Sequence, residues 1–156
     1  MAAKYFEEFI VGEEYTTPSR TMSEADIVMF SALSWDNASM HTDKEYAKQQ
    51  PFGQRIAQGL LVMSMYSGLK QKLGIVDGTT IAFLGMDVKF PGPVVIGDTI
   101  TAKISVEDTR LTSKGDRGIV TSRFQVINQR GEVAVEGTEK LMIICKSTEL
   151  VKQSNA

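Results

Sequence analysis

Residues 58–72 read QGLLVMSMYSGLKQK, a run that is apolar nearly all round until its closing lysines. A helix of that pattern belongs inside a fold rather than on its surface. The rest of the chain must therefore supply something to surround it. From residue 80 onward the spacing turns to that of strands: TIAFLGMDVKF (80–90), GDTITAKISVEDTRL (97–111), GIVTSRFQVINQ (118–129) and EVAVEGTEKLMIIC (132–145). Thr99, Thr101, Lys103 and Ser105 alternate with Ile100, Ala102, Ile104 and Val106, the period-two pattern of an antiparallel strand with one wet face. TSKGDRG and NQRGE supply hairpin turns with a glycine for positive φ. One long antiparallel sheet and one very apolar helix are most simply reconciled by curling the sheet around the helix. The fold class expected is α+β, a curled antiparallel sheet wrapped around a long central apolar helix.

Upstream of that helix, Ser23 can cap a helix over about 23 to 34, with Glu24 and Asp26 at its positive end and Ile27, Phe30, Ala32 and Leu33 as its apolar side. EEYTTPSRTM (13–22) has strand content, but Pro18 confines it to an edge. A short helix in TDKEYAKQ can be capped by Thr42 or Asp43, and PFGQRIA reads as an irregular connection. A chain of 156 residues fills one domain with a real core; residues 1–146 are assigned to it and 147–156 to a polar tail. With 42% hydrophobic and 23% charged residues and a net charge of -2, the chain lacks the basic excess of nucleic-acid or anionic-membrane binders. No segment approaches a membrane span or a signal-peptide core, and the single cysteine, Cys145, forms no internal disulfide. A cytoplasmic protein is expected, with no membrane and no nucleic-acid partner. An open sheet edge and an apolar rim point to a homodimer or a higher oligomer.

Residues 34–43, SWDNASMHTD, hold the only histidine, His41, five positions after Asp36. These side-chain types suit proton transfer near neutral pH, and a loop can turn both towards one cleft. By spacing alone Asp36 can equally cap a turn and His41 be a satisfied polar residue. Gly59 stands at the expected start of the apolar helix, where free N–H groups and the positive dipole end favour a developing oxyanion; a tight turn would explain it as well.

The stretch FSALSWDNASMHTDKEYA resembles the signature of R-specific enoyl-CoA hydratases and the wider MaoC-like dehydratases, a hot-dog-fold family. Phe30, Leu33, Ser34, Asp36, Met40, His41 and Asp43 fall in register with it. Gln58, Gly59, Leu60 and Leu61, then Tyr66, Ser67 and Gly68, are similar to the family's helix opening, and KFPGPVVIGDTITAKISV to one of its strands. The resemblance implies reversible hydration of a trans-2-enoyl-CoA, or a related unsaturated acyl thioester, to the R-3-hydroxyacyl thioester. Coenzyme A then enters as part of the substrate, and neither a further cofactor nor a metal is implied. Asp36 and His41 would share acid and base work, with His41 taken as base and Asp36 as its acid partner, an assignment the residues leave open. Gly59 would bind the thioester oxygen through its N–H, and Ser67 would assist.

Trp35 stands where the signature has glycine, Ala38 and Ser39 replace its Asn-Pro, and Gln58 replaces a histidine. Trp35 would wall the pocket, stack on a substrate, or be a bulky surface residue packed on the first helix. Gln58 and Met63 are further pocket candidates, although the methionines equally suit the core. The basic run RLTSKGDR, with Arg110, Lys114 and Arg117, and also Arg55 and Lys89, are candidates for the phosphates of coenzyme A. Two alternatives share the fold: an acyl-CoA thioesterase, against which residues 55–72 contain no Asp or Glu, and a non-catalytic acyl-CoA-binding module.

Overall fold

The structure, a computed structural model, describes residues 1–148. The polar tail expected at 147–156 lies outside the described residues from position 149 onward. After a 3-10 turn at Phe6–Glu8, the elements follow as β1 (Glu14–Thr16), β2 (Arg20–Thr21), α1 (Glu24–Ser34), α2 (Ser39–Thr42), α3 (Lys44–Lys48), α4 (Gly59–Gln71), β3 (Thr80–Lys89), β4 (Thr99–Leu111), β5 (Arg117–Ile127) and β6 (Val133–Ile144). The sheet runs β1-β4-β5-β6-β3 with every pair antiparallel, and β2 also pairs with β4. The short segments on either side of Pro18 thus dock on the sheet's edge, because proline breaks their ladder. Along β4, Ile100, Ala102, Ile104 and Val106 are buried against the core, as the alternation requires.

The core forms where α4 lies in the curl of the sheet, with Leu61, Val62, Met63, Met65, Tyr66 and Leu69 packed into one cluster with residues of β4, β5 and β6. This is the arrangement of sheet and helix expected from the sequence. Tyr66 stacks on Phe124 with ring centroids 4.3 Å apart. Beside it Glu139 of β6, 2% exposed, accepts from the Tyr66 hydroxyl at 2.9 Å and from Lys70 Nζ at 2.6 Å. Burial and then the nearby Glu139 charge push the Tyr66 hydroxyl well above its ordinary pKa, so it stays a neutral donor. The helix is pinned to the sheet by this trio.

Three sequence expectations change. In α1 the inward stripe is Ile27 and Ser31, with Phe30 partly buried, whereas Ala32 and Leu33 face outward; positions four apart share a face, and Ile27 already claims the core side. The polar loop before α3 contains a helical turn, α2, while of the two caps expected for α3 it is Asp43 that serves, accepting from Glu45 and Tyr46 N–H. Finally, α4 is buried on one side only, with Leu60, Ser64, Ser67 and Gln71 exposed. Along edge strand β3, Ile81, Phe83, Leu84 and Met86 are likewise at least 40% exposed. Among the described residues no helix is long and apolar enough to cross a membrane.

One buried carboxylate fixes the end of the sheet that carries the site. Asp98, 2% exposed, accepts from Val95 N–H at 3.0 Å, Gln129 Nε2 at 3.0 Å and Arg130 Nη1 at 2.9 Å. Burial alone would push its carboxyl up, but the hydrogen bonds from Val95, Arg130 and Gln129 prevail and hold it below the usual carboxylate range. The held segment in turn pairs with the connection before α4, through Ala57 N–H to Val94 O at 2.7 Å and an Ile56–Val95 bridge.

Candidate active site

Three elements converge before the first turn of α4. The connection at Ile56–Ala57, fixed against Val94–Val95, offers the Ile56 carbonyl to His41 Nδ1 at 2.8 Å. A carbonyl only accepts, so Nδ1 carries the hydrogen and proton exchange with any substrate runs through Nε2. The α2 turn that holds His41 arises because Ala38 O accepts the His41 N–H at 2.9 Å and Asp43 N–H bonds Ser39 O at 2.9 Å. It leaves the imidazole buried, at 7% exposure.

Asp36 follows the end of α1 and is the open member of the pair. Its Oδ2 stands 3.9 Å from His41 Nε2, too far for a direct hydrogen bond and close enough for one water to bridge. Its Oδ1 accepts weakly from Ala38 N–H at 3.5 Å. The residue thus caps its own turn while its second oxygen faces the histidine.

Gln58 is buried at 1% exposure and precedes Gly59. Its Nε2 donates to Ser31 Oγ at 2.8 Å and reaches the Asp36 carbonyl at 3.4 Å. Rather than lining an open pocket, its amide ties α1, the Asp36 turn and the start of α4 together. Gly59 opens α4 with no side-chain cap, and among the described residues its N–H meets no hydrogen-bond acceptor, which leaves it for an anion. A β-carbon there would stand 2.9 Å from Phe90 Cε1, so glycine is what lets the aromatic ring lie against the first residue of α4. Ser67 is exposed on α4. Eight residues on, it stands roughly 80° around the helix from Gly59 and in line with Leu60. Met63 is 8% exposed and belongs to the core cluster.

Trp35 ends α1 in the left-handed conformation, with φ 64° and ψ 13°, its N–H donating to Ser31 O at 2.9 Å. This costs a residue other than glycine roughly 1–2 kcal/mol. The indole is 86% exposed, so it does not pack on the first helix.

Phe90, Ser31 and Ile56 were not singled out for the site by pattern. Ser31 carried a faint signal, a polar residue four positions after Ile27 on the inward stripe. Phe90 stood in the family-like run KFPGPVV without a site role, and Ile56 carried no signal, because each meets the site only through the folded chain. The basic hairpin of Arg110, Lys114 and Arg117 lies at the opposite end of the sheet. Leu111 pairs with Gly118 and Ile144 with Arg117, whereas Lys89 beside Phe90 pairs with Glu136. Ten-residue β3 separates the two ends by about 30 Å, so within one chain the hairpin does not reach Gly59. Arg117 pairs with Asp116 and Arg55 with Glu24, each at 2.5 Å; Lys89 is exposed at the site's end.

The family model for the MaoC like domain matches residues 7–128. The chain belongs to the MaoC-like family. Its MaoC-like sequence is 34% identical over 140 residues to the (R)-specific enoyl-CoA hydratase of Rhodospirillum rubrum, covering 89% of this chain and 91% of that one. It is 40% identical over 115 residues to protein MaoC of Klebsiella aerogenes, covering 73% of this chain. The match spans only about a third of that longer protein, 33% of its length. Among solved structures, the MaoC-like dehydratase of Rhodospirillum rubrum superposes with a TM-score of 0.84 at 25% identity, over 92% of this chain and 99% of that one.

Proposed function

We propose that this MaoC-like chain is a hydro-lyase that reversibly adds water across the α,β double bond of a trans-2-enoyl-CoA, giving the R-3-hydroxyacyl thioester. The observation that carries the reading is Asp36 Oδ2 facing His41 Nε2 across 3.9 Å, next to the unpartnered N-terminus of α4. A water held between the two attacks the β-carbon. His41 takes a proton from that water through Nε2, Asp36 supplies one to the α-carbon, and the pair resets by passing the proton across the gap. The thioester oxygen, which gains negative charge as the β-carbon is attacked, lies against the Gly59 N–H at the positive end of α4. The (R)-specific relative supports the stereochemistry.

Purified protein given crotonyl-CoA and a panel of longer and branched enoyl-CoAs is expected to bleach the conjugated-thioester absorbance without releasing free thiol. Thiol release would make it a thioesterase, and no change across the panel would leave a binding module. The thioesterase reading needs a working carboxylate beside α4. Glu139, which packs against α4, is committed to Tyr66 and Lys70, and Asp26, which borders the same helix, to Ser23 and Arg20.

The working unit proposed is a homodimer. Edge strand β3, with Ile81, Phe83, Leu84 and Met86 uncovered, offers unpaired backbone and apolar side chains of the kind a second copy hides. Sedimentation is expected to give twice the chain mass, and Phe83→Asp with Leu84→Lys to shift it towards a single chain. A wild-type chain that sediments alone at assay concentration would remove the dimer from the proposal.

A further inference from the structure

The one strained side chain at the site has no partner within its own chain. Among the described residues Trp35 is the only non-glycine with positive φ, and it precedes Asp36 directly. A glycine would turn the chain here without strain. The indole gains no compensating burial, being 86% exposed. Strain kept beside reacting groups and unrepaid by packing points to a partner that arrives with the reaction.

We propose that the Trp35 indole is a specificity-determining contact for the pantetheine arm of the thioester substrate. The inference rests on the hydratase reading above. Three positions for the contact compete, and the geometry separates them. The acyl chain is apolar and needs a wall away from water; an indole 86% exposed is unsuited to that. The nucleotide of coenzyme A lies a whole pantetheine arm away from the sulfur, whereas Trp35 adjoins the residue that faces the reacting carbons. What passes within one side chain's reach of Asp36 and still meets solvent is the arm itself, with its amides and short methylene runs. An indole suits that mixture, offering a broad apolar face and an N–H donor. A second copy of the chain is the remaining candidate. Its apolar contacts are already available without strain from Val28, Met29 and Leu33, which are 55%, 70% and 82% exposed on regular helix. A role tied to Asp36 accounts for apolar surface at the strained position itself.

Trp35 is the sole tryptophan, so emission excited at the red edge, where tyrosine does not absorb, reports on it alone. Butyryl-CoA and butyryl-pantetheine are saturated, unreactive probes whose occupancy is set by their inhibition of crotonyl-CoA turnover. At saturation both are expected to shield Trp35 from acrylamide quenching to the same extent. Trp35→Gly is expected to raise the melting temperature by about 3 °C as the strain is relieved. Its KM should rise about 3- to 10-fold, equally for crotonyl-CoA and crotonyl-pantetheine, the loss falling on KM rather than kcat. Trp35→Phe should restore most of that loss.

Shielding by the coenzyme A thioester alone would assign the indole to the nucleotide and overturn the proposal. So would unchanged quenching with unchanged KM, or quenching that depends on protein concentration with no thioester present, the mark of a second copy. Absence of turnover by the wild type on every enoyl thioester would instead remove the hydratase reading beneath it.

Discussion

Asp36→Asn and His41→Gln are each expected to lower kcat for crotonyl-CoA hydration by about 10²- to 10⁴-fold. Each deletes one partner in a proton exchange that needs both. Asp36→Asn keeps the shape of the side chain and the Oδ1 contact to Ala38, so the melting temperature should hardly move. His41→Gln gives up the bond to the Ile56 carbonyl and costs about 1 kcal/mol of stability, far too little to account for a hundredfold loss of turnover in a folded sample. The decisive measurement is the double variant. Two groups that hold one water act as a unit, so the pair of substitutions should cost little more than the worse single one. Additive losses in kcat would mean that Asp36 and His41 act independently. A single variant within tenfold of wild type would remove that residue from the chemistry.

Glu139→Ala carries the largest expected effect on stability. It leaves the Lys70 ammonium, whose side chain is 12% exposed, without its counter-charge, and strands the Tyr66 hydroxyl. Removing one partner of a buried pair costs about 3–5 kcal/mol, which for a chain of this size lowers the melting temperature by about 10 °C. Replacing both ends of the ion pair, Glu139→Gln with Lys70→Met, should recover much of that loss, because no buried charge is then left alone. The same trio sets an alkaline limit. The folded chain holds the Tyr66 proton above its ordinary pKa of 10.0, so above about pH 10 the unfolded state binds fewer protons than the folded one, and stability falls as pH rises. Below that value the contribution is complete. Denaturant midpoints measured from pH 8 to 11 should therefore decline only at the alkaline end, and Tyr66→Phe should flatten the decline. A flat wild-type profile would mean that Tyr66 is free of this constraint.

Much of the architecture was legible because local rules and the final fold agree. Alternation along β4 assigned its wet and buried faces, since a strand has only two. Ser23 marked the start of α1 because a serine before an acidic first turn satisfies free N–H groups, and in the fold Asp26 and Ser23 cap one another. The apolar run at 58–72 was legible as the helix the sheet surrounds.

The misreadings share one cause. Leu33, Leu60 and the flank of β3 are apolar, and the pattern of apolar residues says that a surface is to be covered without saying by what. Within one chain these surfaces stay open. The period of α1 likewise admitted more than one stripe, and only packing against α4 selected Ile27 and Ser31.

For the site, the sequence by itself determined the chemical types: Asp36 and His41 five residues apart, a glycine opening an apolar helix, and the MaoC-like pattern joining them. Only the tertiary structure decided their relation. It gave the 3.9 Å between carboxylate and imidazole, the Ile56 carbonyl that fixes the histidine tautomer, the Phe90 ring beside Gly59, and the Gln58 amide that couples the two halves. Asp36 and His41 are five positions apart, and the other contacts join residues 15 to 31 positions apart. Which groups meet across such distances is settled by how the sheet curls around α4, and neither propensity nor periodicity encodes that in a local stretch of chain.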